Sequence, residues 1–516
     1  MKTTCKICIF ILAFIVCIGL TQFLGKSEAQ ERPKDRLFVV QEDDVTSFDP
    51  SSSTHVPNIT FYFVIYDCLT CWDNVEHTKL IPMLATSWKL INPTTWQFNL
   101  RKGVQFHNGE PFNANTVKYN VEWLSKPGKH VMASNFFTID HAEVVDDYTI
   151  NIITKAPDPL LPKRLGAYGC QMTPPEYIKK VGRETLGLKP IGTGPYMVKE
   201  WVKDSQVTLV RNEKYWGEKG VFKEVIVKPF PDNMTRVNAL LTGEVDLISM
   251  LLPDQVSLVE KSKIARVEPV LAAARAAFQI NGRKGPLKNR LVRQACNYAV
   301  DKETILNKLW KGYGNVLTGG GTSYDFGSTP QHPYPYNPAK ARELIKQAGY
   351  KPGEITFGLY ANAPGKDLAE IVCAYLNEVG INAQPKVIEA ATRARWNADF
   401  RVWEDIGGGL LTYSSSTLYD LDGNIWRLRH PSGPGGYRSE EINQRGMPFY
   451  EMMEKARYSF DQEERKKIYL EAEKIYIEAA LEIFLFQYKL LYGVNNRINF
   501  RPRPDERMYY NLITLR

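Results

Sequence analysis

The sequence is poor in cysteine, and this scarcity excludes one broad class of fold. Eight cysteines in 516 residues are too few for the disulfide framework of a small secreted domain. Three lie within the first 29 residues, and those that remain are Cys68, Cys71, Cys170, Cys296 and Cys373. A single C-x-x-C (68–71) with no second pair is weak evidence for metal. Buried thiols, a disulfide that uses one of this pair and a metal site all stay open, although a helical backbone there would strain a Cys68–Cys71 bridge.

The sequence also lacks the short motifs of the common catalytic sites. It contains no G-x-S-x-G elbow, no H-E-x-x-H helix, no Walker A loop and no G-x-G-x-x-G. The seven histidines are scattered, and none stands three or four residues from another, which excludes a helical pair of metal ligands. His107, in a turn beside Gly109, is interpreted as a surface residue. We predict no catalytic residue, no metal and no cofactor, although carboxylates that converge from distant positions stay open.

Long runs of like charge are absent as well. The formal net charge of +8 is mild for a chain of this length, and the lysines and arginines are spread along it. A solvated surface explains this distribution, so we predict no binding of nucleic acid.

The first 29 residues have the pattern of a secretory signal. Lys2 and Lys6 precede an apolar run over residues 7–20, and a small-x-small cleavage site ends at Ala29. The apolar run is interrupted before it reaches the about 20 residues of a membrane-spanning helix, so a retained anchor is less favoured. Cys17 is not preceded by the small residues of a lipoprotein signal. We predict cleavage near Ala29 and a free periplasmic protein with no membrane insertion after cleavage.

Hydrophobic periodicity predicts a mixture of strands and helices. Strands are predicted over residues 36–40 and 96–100, and helices over 61–72, 113–124, 338–348 and 461–480. A strand, a helix and a strand over residues 355–360, 367–379 and 381–388 predict a right-handed crossover. GTGPY at residues 192–196 is interpreted as a tight turn before a strand, because Pro195 lacks the amide that a phosphate loop would use. The fold class is therefore α/β.

Several longer motifs extend nearly from one end of the chain to the other. They are TSFDP (46–50), LATSW (84–88), LRKGVQFHNG (100–109), GTGPY (192–196), TGEVD (242–246), VRQACNYAVD (292–301) and AKARELIKQAGY (339–350). In this order they resemble the extracellular solute-binding proteins, family 5, of the dipeptide, oligopeptide, glutathione and nickel ABC importers. The chain is most similar to the glutathione-binding branch of this family, both in its length and in the segments around residues 231–233 and 335–336.

The resemblance implies a two-lobed periplasmic binding protein, type II-like with an extra subdomain Ib, in which helices flank mixed sheets and two crossover strands form the hinge. It implies these boundaries: signal peptide 1–29; lobe I (subdomain Ia) 30–55, 193–280 and 488–516; subdomain Ib 56–192; lobe II 281–487. Such a protein closes on its ligand, because only a ligand that contacts both lobes favours the closed form.

The resemblance also implies where the ligand binds. Peptide binders of this family pair the α-amino group of the ligand with an aspartate that follows a strand and a Gly-Trp-type turn. GLLTYSSS (409–416) stands at that place, and alignment without gaps puts Ser414 at the aspartate, which removes a charge-assisted hydrogen bond. Asp420 or Asp422 could take over, although a turn or surface position is favoured for both. The candidate ligand-binding residues are Ser47, Phe48, Asn362, Tyr413, Ser414 and Ser415, with core packing an equal alternative for Phe48.

We therefore expect a monomeric binding component that captures a small peptide or peptide-like solute and delivers it to the permease subunits of an ABC importer, without chemistry. A binding protein for an oligosaccharide, an opine or a metal chelate is the alternative. A secreted hydrolase is a remote one.

Overall fold

The computed structural model describes residues 33–126, 130, 133–328, 330–331, 334–389, 392, 396, 407–416, 418–426, 441–442 and 446–516. The predicted signal peptide lies outside the described residues. The strands are β1 Arg36–Gln41, β2 Thr70–Trp72, β3 Leu80–Pro82, β4 Ala85–Asn92, β5 Thr95–Leu100, β6 Ile139–Asp146, β7 Thr149–Thr154, β8 Tyr196–Val202, β9 Gln206–Arg211, β10 Glu224–Pro229, β11 Leu247–Ile248, β12 Ala265–Leu271, β13 Ala274–Ile280, β14 Gly314–Val316, β15 Ile355–Ala361, β16 Ile381–Val387, β17 Gly408–Ser415, β18 Glu482–Asn495, β19 Ile498–Asn499 and β20 Thr514–Leu515. The helices are α1 Val56–Ile65, α2 Ala114–Leu124, α3 Ala133–Phe136, α4 Leu161–Arg164, α5 Pro175–Leu188, α6 Asn233–Leu241, α7 Val256–Glu260, α8 Arg290–Ala299, α9 Lys302–Leu309, α10 Pro338–Gln347, α11 Lys366–Glu378, α12 Pro448–Tyr458 and α13 Gln462–Ala479.

One mixed sheet of twelve strands extends through both lobes. Its order is β16-β15-β17-β13-β18-β11-β1-β10-β9-β8, with β12 and β14 paired to β18 beside that path. The C-terminal half of β18 pairs with β11 and β12, and its N-terminal half pairs with β13 and β14. The chain therefore passes between the lobes once along β12 and β13 and once along β18.

Buried apolar side chains form a separate core in each part of the molecule. Phe98 lies in the core under the four-stranded antiparallel sheet β4-β5-β7-β6 of subdomain Ib. Leu209 belongs to the core of lobe I, and Leu359 belongs to the core of lobe II. Each such side chain contributes about 1.5–3 kcal/mol when it leaves water, so each part has its own source of stability.

Side-chain caps fix several helix starts where the sequence predicts them. The Asn113 side chain accepts hydrogen bonds from the backbone N–H groups of Asn115 and Thr116, and the Asp461 side chain accepts from Glu463 and Glu464. These bonds satisfy amides that have no partner within the helix. The predicted strand–helix–strand unit is also present: β15 and β16 are parallel, and α11 connects them.

The helix predicted over residues 61–72 is wrong at both ends. Helix α1 begins at Val56, with Pro57 in its first turn, and ends at Ile65, after which Tyr66 is extended. Residues 70–72 instead form β2, which pairs with β3. A continuous apolar run does not distinguish a buried helix from a buried strand. The C-x-x-C segment is therefore a connection that enters a strand.

The backbone of the GTGPY motif packs directly against the backbone at the end of α1. A Cβ atom at Gly192 would stand 1.9 Å from the carbonyl oxygen of Ile65, and one at Gly194 would stand 2.5 Å from the carbonyl carbon of Ile65. The Gly194 amide donates to the same Ile65 oxygen over 2.8 Å. Strand β8 then begins at Tyr196, as predicted. Glycine is required here because the end of α1 leaves no room for a side chain.

The interpretation of His107 as a surface residue is wrong. Its Nδ1 accepts a hydrogen bond from the Gly192 amide over 3.2 Å, and its Nε2 donates to the Gly194 carbonyl over 3.0 Å. Because Nδ1 is an acceptor, the ring is neutral with its proton on Nε2. Burial lowers the pKa of His107 to about 4. The histidine of LRKGVQFHNG therefore holds the two glycines of GTGPY against α1.

Substitution of Gly192 by alanine should destabilise the protein by about 3 kcal/mol or more, because the new methyl group would collide with backbone and not with a movable side chain. Gly407, around which a Cβ would meet nothing within 4 Å, provides the matched control. Gly407→Ala should change the free energy of unfolding by less than about 0.5 kcal/mol. Urea denaturation measures both, and equal effects would contradict the packing described for Gly192.

Acid should weaken the fold partly through His107. The pKa is about 4 in the folded state and about 6.5 in the unfolded state, so the unfolded state takes up the proton first. The stability present above pH 6.5 is then lost as pH falls towards 4, by up to about 3 kcal/mol. In urea titrations from pH 7 to 4.5, His107→Gln should lose less stability than the native protein. His141, whose exposed ring has a pKa raised by Asp140, is the control, because His141→Gln should not reduce the loss.

Candidate ligand-binding site

Four of the candidate residues lie at the carboxyl ends of two neighbouring strands of the lobe II sheet. Strands β15 and β17 are parallel, and Tyr360 lies opposite Leu410 in their register. Asn362, directly after β15, is therefore beside the middle of β17, and residues 413–415 extend past it towards the hinge. Ligands of open α/β sheets bind at the carboxyl ends of parallel strands, which is the edge that these residues occupy.

Strand β17 carries the candidates to the crossing between the lobes. The Tyr413 ring packs edge-on against Tyr488 of β18 with 5.7 Å between ring centroids. Tyr488 also accepts a backbone hydrogen bond from Ala272, between β12 and β13. Ser414 is 8% exposed and stands opposite Arg275 of β13, while Ser415 is half-buried. Tyr413 therefore contacts the hinge directly, and Ser414 faces the interior.

Ser47 and Phe48 lie in lobe I, where it packs on subdomain Ib. The Ser47 hydroxyl accepts a hydrogen bond from the Asp49 amide over 3.2 Å. The backbone carbonyl of Ser47 accepts one from the Asn58 side chain over 3.0 Å. Phe48 has no exposed surface and packs edge-on against Phe61 and Trp201. Phe48 is thus a core residue that supports the half-buried Ser47.

The turn or surface position favoured for Asp420 and Asp422 is wrong. Both are fully buried at the boundary between subdomain Ib and lobe II. Lys163 lies 3.5 Å from Asp420, and Arg164 lies 3.0 Å from Asp422. Burial alone would raise the pKa of Asp422, but the charges of Arg457 and Arg164 outweigh burial and lower it. The lobes are in contact here, and both carboxylates are already paired with protein cations.

Aromatic side chains from three parts of the chain meet beside the hinge. The rings of Trp72 from subdomain Ib and Tyr419 from lobe II are 4.9 Å apart, and both pack around Ala273, between β12 and β13. The Tyr324 ring packs edge-on against the Tyr419 ring, with 6.1 Å between their centroids. Within the described part of the chain, the Trp72 indole nitrogen and the Tyr419 hydroxyl are buried and have no hydrogen-bond partner. Sequence reasoning missed these groups because they stand outside the family motifs.

The segment before the C-terminal strand adds a buried cation near the same boundary. Asp505 accepts from Arg503 through both carboxylate oxygens, at 3.0 and 2.8 Å, and lies 3.3 Å from Nε of Arg507. Burial would raise the pKa of Asp505, but the two arginines lower it to about 2. The Arg507 guanidinium lies 4.0 Å above the Phe63 ring, and its Nη1 has no hydrogen-bond partner among the described residues. Two guanidinium groups therefore share one carboxylate, which leaves positive charge in a buried place.

Ser416 continues the serine run beyond the predicted candidates. Its amide donates to the Ala273 carbonyl over 2.6 Å, and its hydroxyl bonds the buried Asp325. Asn424 and Thr322 donate to the same carboxylate. The hydrogen-bonding capacity of the Asp325 carboxylate is therefore used by other residues of lobe II.

Neither a metal centre nor a membrane span is found in the described ranges. No three or more histidine, cysteine, aspartate or glutamate side chains within them are placed to hold a metal ion. No helix within them is both long enough and apolar enough to cross a bilayer.

Comparison with known sequences identifies the family. The model of the bacterial extracellular solute-binding proteins, family 5 Middle, matches residues 79–425. The chain belongs to this family. The glutathione-binding protein GsiB of Pectobacterium atrosepticum is 32% identical to this family 5 protein over 388 residues, which is 74% of each chain. GsiB of Escherichia coli O157:H7 is 30% identical over 325 residues, or 62% of this chain and 63% of that protein.

Solved structures agree with the two-lobed α/β architecture of the family 5 protein. The periplasmic binding protein DppA from Helicobacter pylori, in complex with the peptide STSA, superposes with a TM-score of 0.82 over 95% of this chain and 99% of that one, at 24% identity. NikA from Brucella suis, in complex with Fe(III)-EDTA, superposes with a TM-score of 0.81 over 94% of this chain and 100% of that one, at 25% identity. The predicted fold class is confirmed, and so is the prediction of a solute-binding component of an ABC importer.

Asp422→Asn should destabilise this family 5 protein by about 3–5 kcal/mol, because Arg164 and Arg457 would lose a buried counter-charge. The exposed pair of Asp140 and His141 provides a control, since Asp140→Asn should cost less than about 1 kcal/mol. The midpoint of urea unfolding measures both changes. Equal midpoints for the Asp422 variant and the native protein would contradict a buried charge contact between the lobes.

Proposed function

We propose that the chain is the periplasmic binding component of an ABC importer and that it captures a peptide or peptide-derived solute between its lobes. The observation that supports this most is the set of buried polar atoms without partners near the hinge, on Trp72, Tyr419 and Arg507. A buried polar group without a partner costs about 1–3 kcal/mol. A bound solute that supplies acceptor atoms would remove that cost.

The proposed contacts come from both lobes. Ser47 in lobe I and Asn362, Tyr413, Ser414 and Ser415 in lobe II remain candidate contacts, and Phe48 supports Ser47 by packing behind it. Trp72, Tyr419 and Arg507 add donors from the hinge side. The domain boundaries given above belong to the same proposal, except that β13 is placed in lobe II because it pairs with β17. The monomeric state, the cleaved signal peptide and the absence of chemistry on the solute belong to it as well.

The chemistry of these groups favours a solute with a carboxylate. The indole N–H and the guanidinium group donate hydrogen bonds and do not accept them. Arg507 can bind a carboxylate through a charge-assisted bond, which is stronger than a neutral one. Ser414, in contrast, offers no charge to an ammonium group. The similarity to glutathione-binding proteins agrees with this, since glutathione ends in carboxylates and is built from amino acids.

Thermal shift and calorimetry with glutathione, di- to pentapeptides, agropinic acid, an oligosaccharide series and a nickel–histidine complex test the ligand class. A ligand that binds only the folded state raises the melting temperature, and we expect this for glutathione or a peptide, with a smaller radius of gyration as the lobes close. The ligand should be recovered chemically unchanged. Binding confined to the other solutes would overturn the peptide class, and cleavage products would favour a hydrolase.

Arg507→Met should weaken binding of the carboxylate ligand about 10- to 100-fold, because a hydrogen bond to a charged group contributes about 1.5–3 kcal/mol. Arg501→Met is the matched control, since Arg501 is exposed and its guanidinium donates to the Val75 carbonyl. The same ligand as its C-terminal amide should bind the native protein and Arg507→Met equally. A native protein that binds acid and amide equally well would contradict the role of Arg507 without affecting the proposed function.

A further inference from the structure

Two buried thiols lie against the same carbonyl oxygen in subdomain Ib. Cys68 follows α1, and Cys170 follows α4, so the two are far apart in the sequence. Both sulfur atoms point at one acceptor, the carbonyl oxygen of Ala167, at 3.8 Å from Cys68 and 3.0 Å from Cys170. The two sulfur atoms therefore lie on the same side of one peptide group. The backbones beside them are tied together, because the Met172 amide donates to the Asp67 carbonyl over 2.9 Å.

The neighbouring Cys71 is placed differently. It lies in β2, opposite Ile81 of β3, and it is partly exposed, whereas Cys68 and Cys170 are buried. The Ala167 carbonyl accepts from the Cys68 and Cys170 thiols, and among the described residues it does not accept from Cys71. A disulfide needs two sulfur-bearing side chains directed at each other across a short gap. Among the cysteines of this subdomain, Cys68 and Cys170 are the pair that best fits this requirement, because their sulfur atoms approach the same oxygen and their backbones are hydrogen-bonded side by side.

We propose that Cys68 and Cys170 form a disulfide when the protein folds in an oxidising compartment. The two thiols lose two protons and two electrons, and one S–S bond forms. The electrons reduce the disulfide of a thiol–disulfide oxidoreductase to a dithiol, through a mixed disulfide between that enzyme and one of the cysteines.

Burial places the reaction early in folding. The thiolate is the nucleophile in disulfide exchange, and in the folded protein burial raises the pKa of the Cys68 thiol well above its ordinary value. The bond must therefore form while this segment is still open to solvent. Once formed, the disulfide joins two segments. One is the connection that leads into β2 and Trp72, and the other follows directly after α4, the helix that contains Lys163 and Arg164. It therefore links two segments of subdomain Ib that contact lobe II.

Peptide mapping tests the proposal on protein recovered from the periplasm of a bacterial host. Free thiols are alkylated in denaturant before digestion without reductant, and mass spectrometry identifies linked peptides. We expect a peptide with residue 68 joined to one with residue 170, at a mass 2 Da below the reduced pair. The link should persist in Cys71→Ser and disappear in Cys68→Ser. Alkylated Cys68 and Cys170 in the native protein, or a link within residues 68–71, would overturn the proposal.

A stability measurement provides a second readout. A cross-link that closes a loop this long lowers the entropy of the unfolded chain. Reductant should lower the melting temperature of the native protein and of Cys71→Ser by several degrees, and should leave that of Cys170→Ser unchanged. A native protein whose melting temperature does not respond to reductant, even after denaturation and refolding in its presence, would also overturn the proposal.

Discussion

Strand β18 is the element on which the architecture depends, because a single strand is paired in both lobes. Its register with β12 and β11 holds lobe I, and its register with β13 and β14 holds lobe II. Between these regions the pairing passes from β12 to β13, at Ala272 and Ala273. Any change in the angle between the lobes must occur there, since the ladders on either side resist bending. The surroundings of the residues at this crossing therefore differ between the open and the closed arrangement of the lobes.

The contact between subdomain Ib and lobe II contains buried charges beside its apolar packing. Lys163 and Arg164 bring two cations from subdomain Ib to Asp420 and Asp422 of lobe II. Buried ion pairs add little net stability compared with apolar packing, but the loss of one partner is strongly destabilising. When subdomain Ib and lobe II separate, the charges return to water, and their hydration compensates for the lost pairing. A contact of this kind suits a boundary that must open, because its net contribution is small even though its geometry is specific.

Elements with a clear period or cap could be predicted from the sequence, and elements that depend on tertiary packing could not. Asn113 and Asp461 identify helix starts because a cap is a local interaction. The run over residues 61–72 was misassigned because only its pairing with β3 decides that residues 70–72 are a strand. His107 was misread for a similar reason, since its partners Gly192 and Gly194 are distant in the sequence. In the site, the resemblance to the family indicates Asn362 and Ser414. Trp72, Tyr419 and Arg507 stand outside the family motifs, and only the folded structure brings their three segments together.

The unpartnered donors near the hinge explain how binding and closure can be one event. In a closed protein without solute, the Trp72 indole, the Tyr419 hydroxyl and Arg507 are buried at a cost of about 1–3 kcal/mol each. That cost opposes closure, whereas the ion pairs on the same boundary favour it. A solute that offers acceptor oxygens to these donors removes the opposing term only when the lobes are closed, so its binding energy differs between the two states. Such a difference is what shifts a conformational equilibrium. An apolar solute of the same size would fill the space but leave the donors unpaired, and the closed form would gain much less.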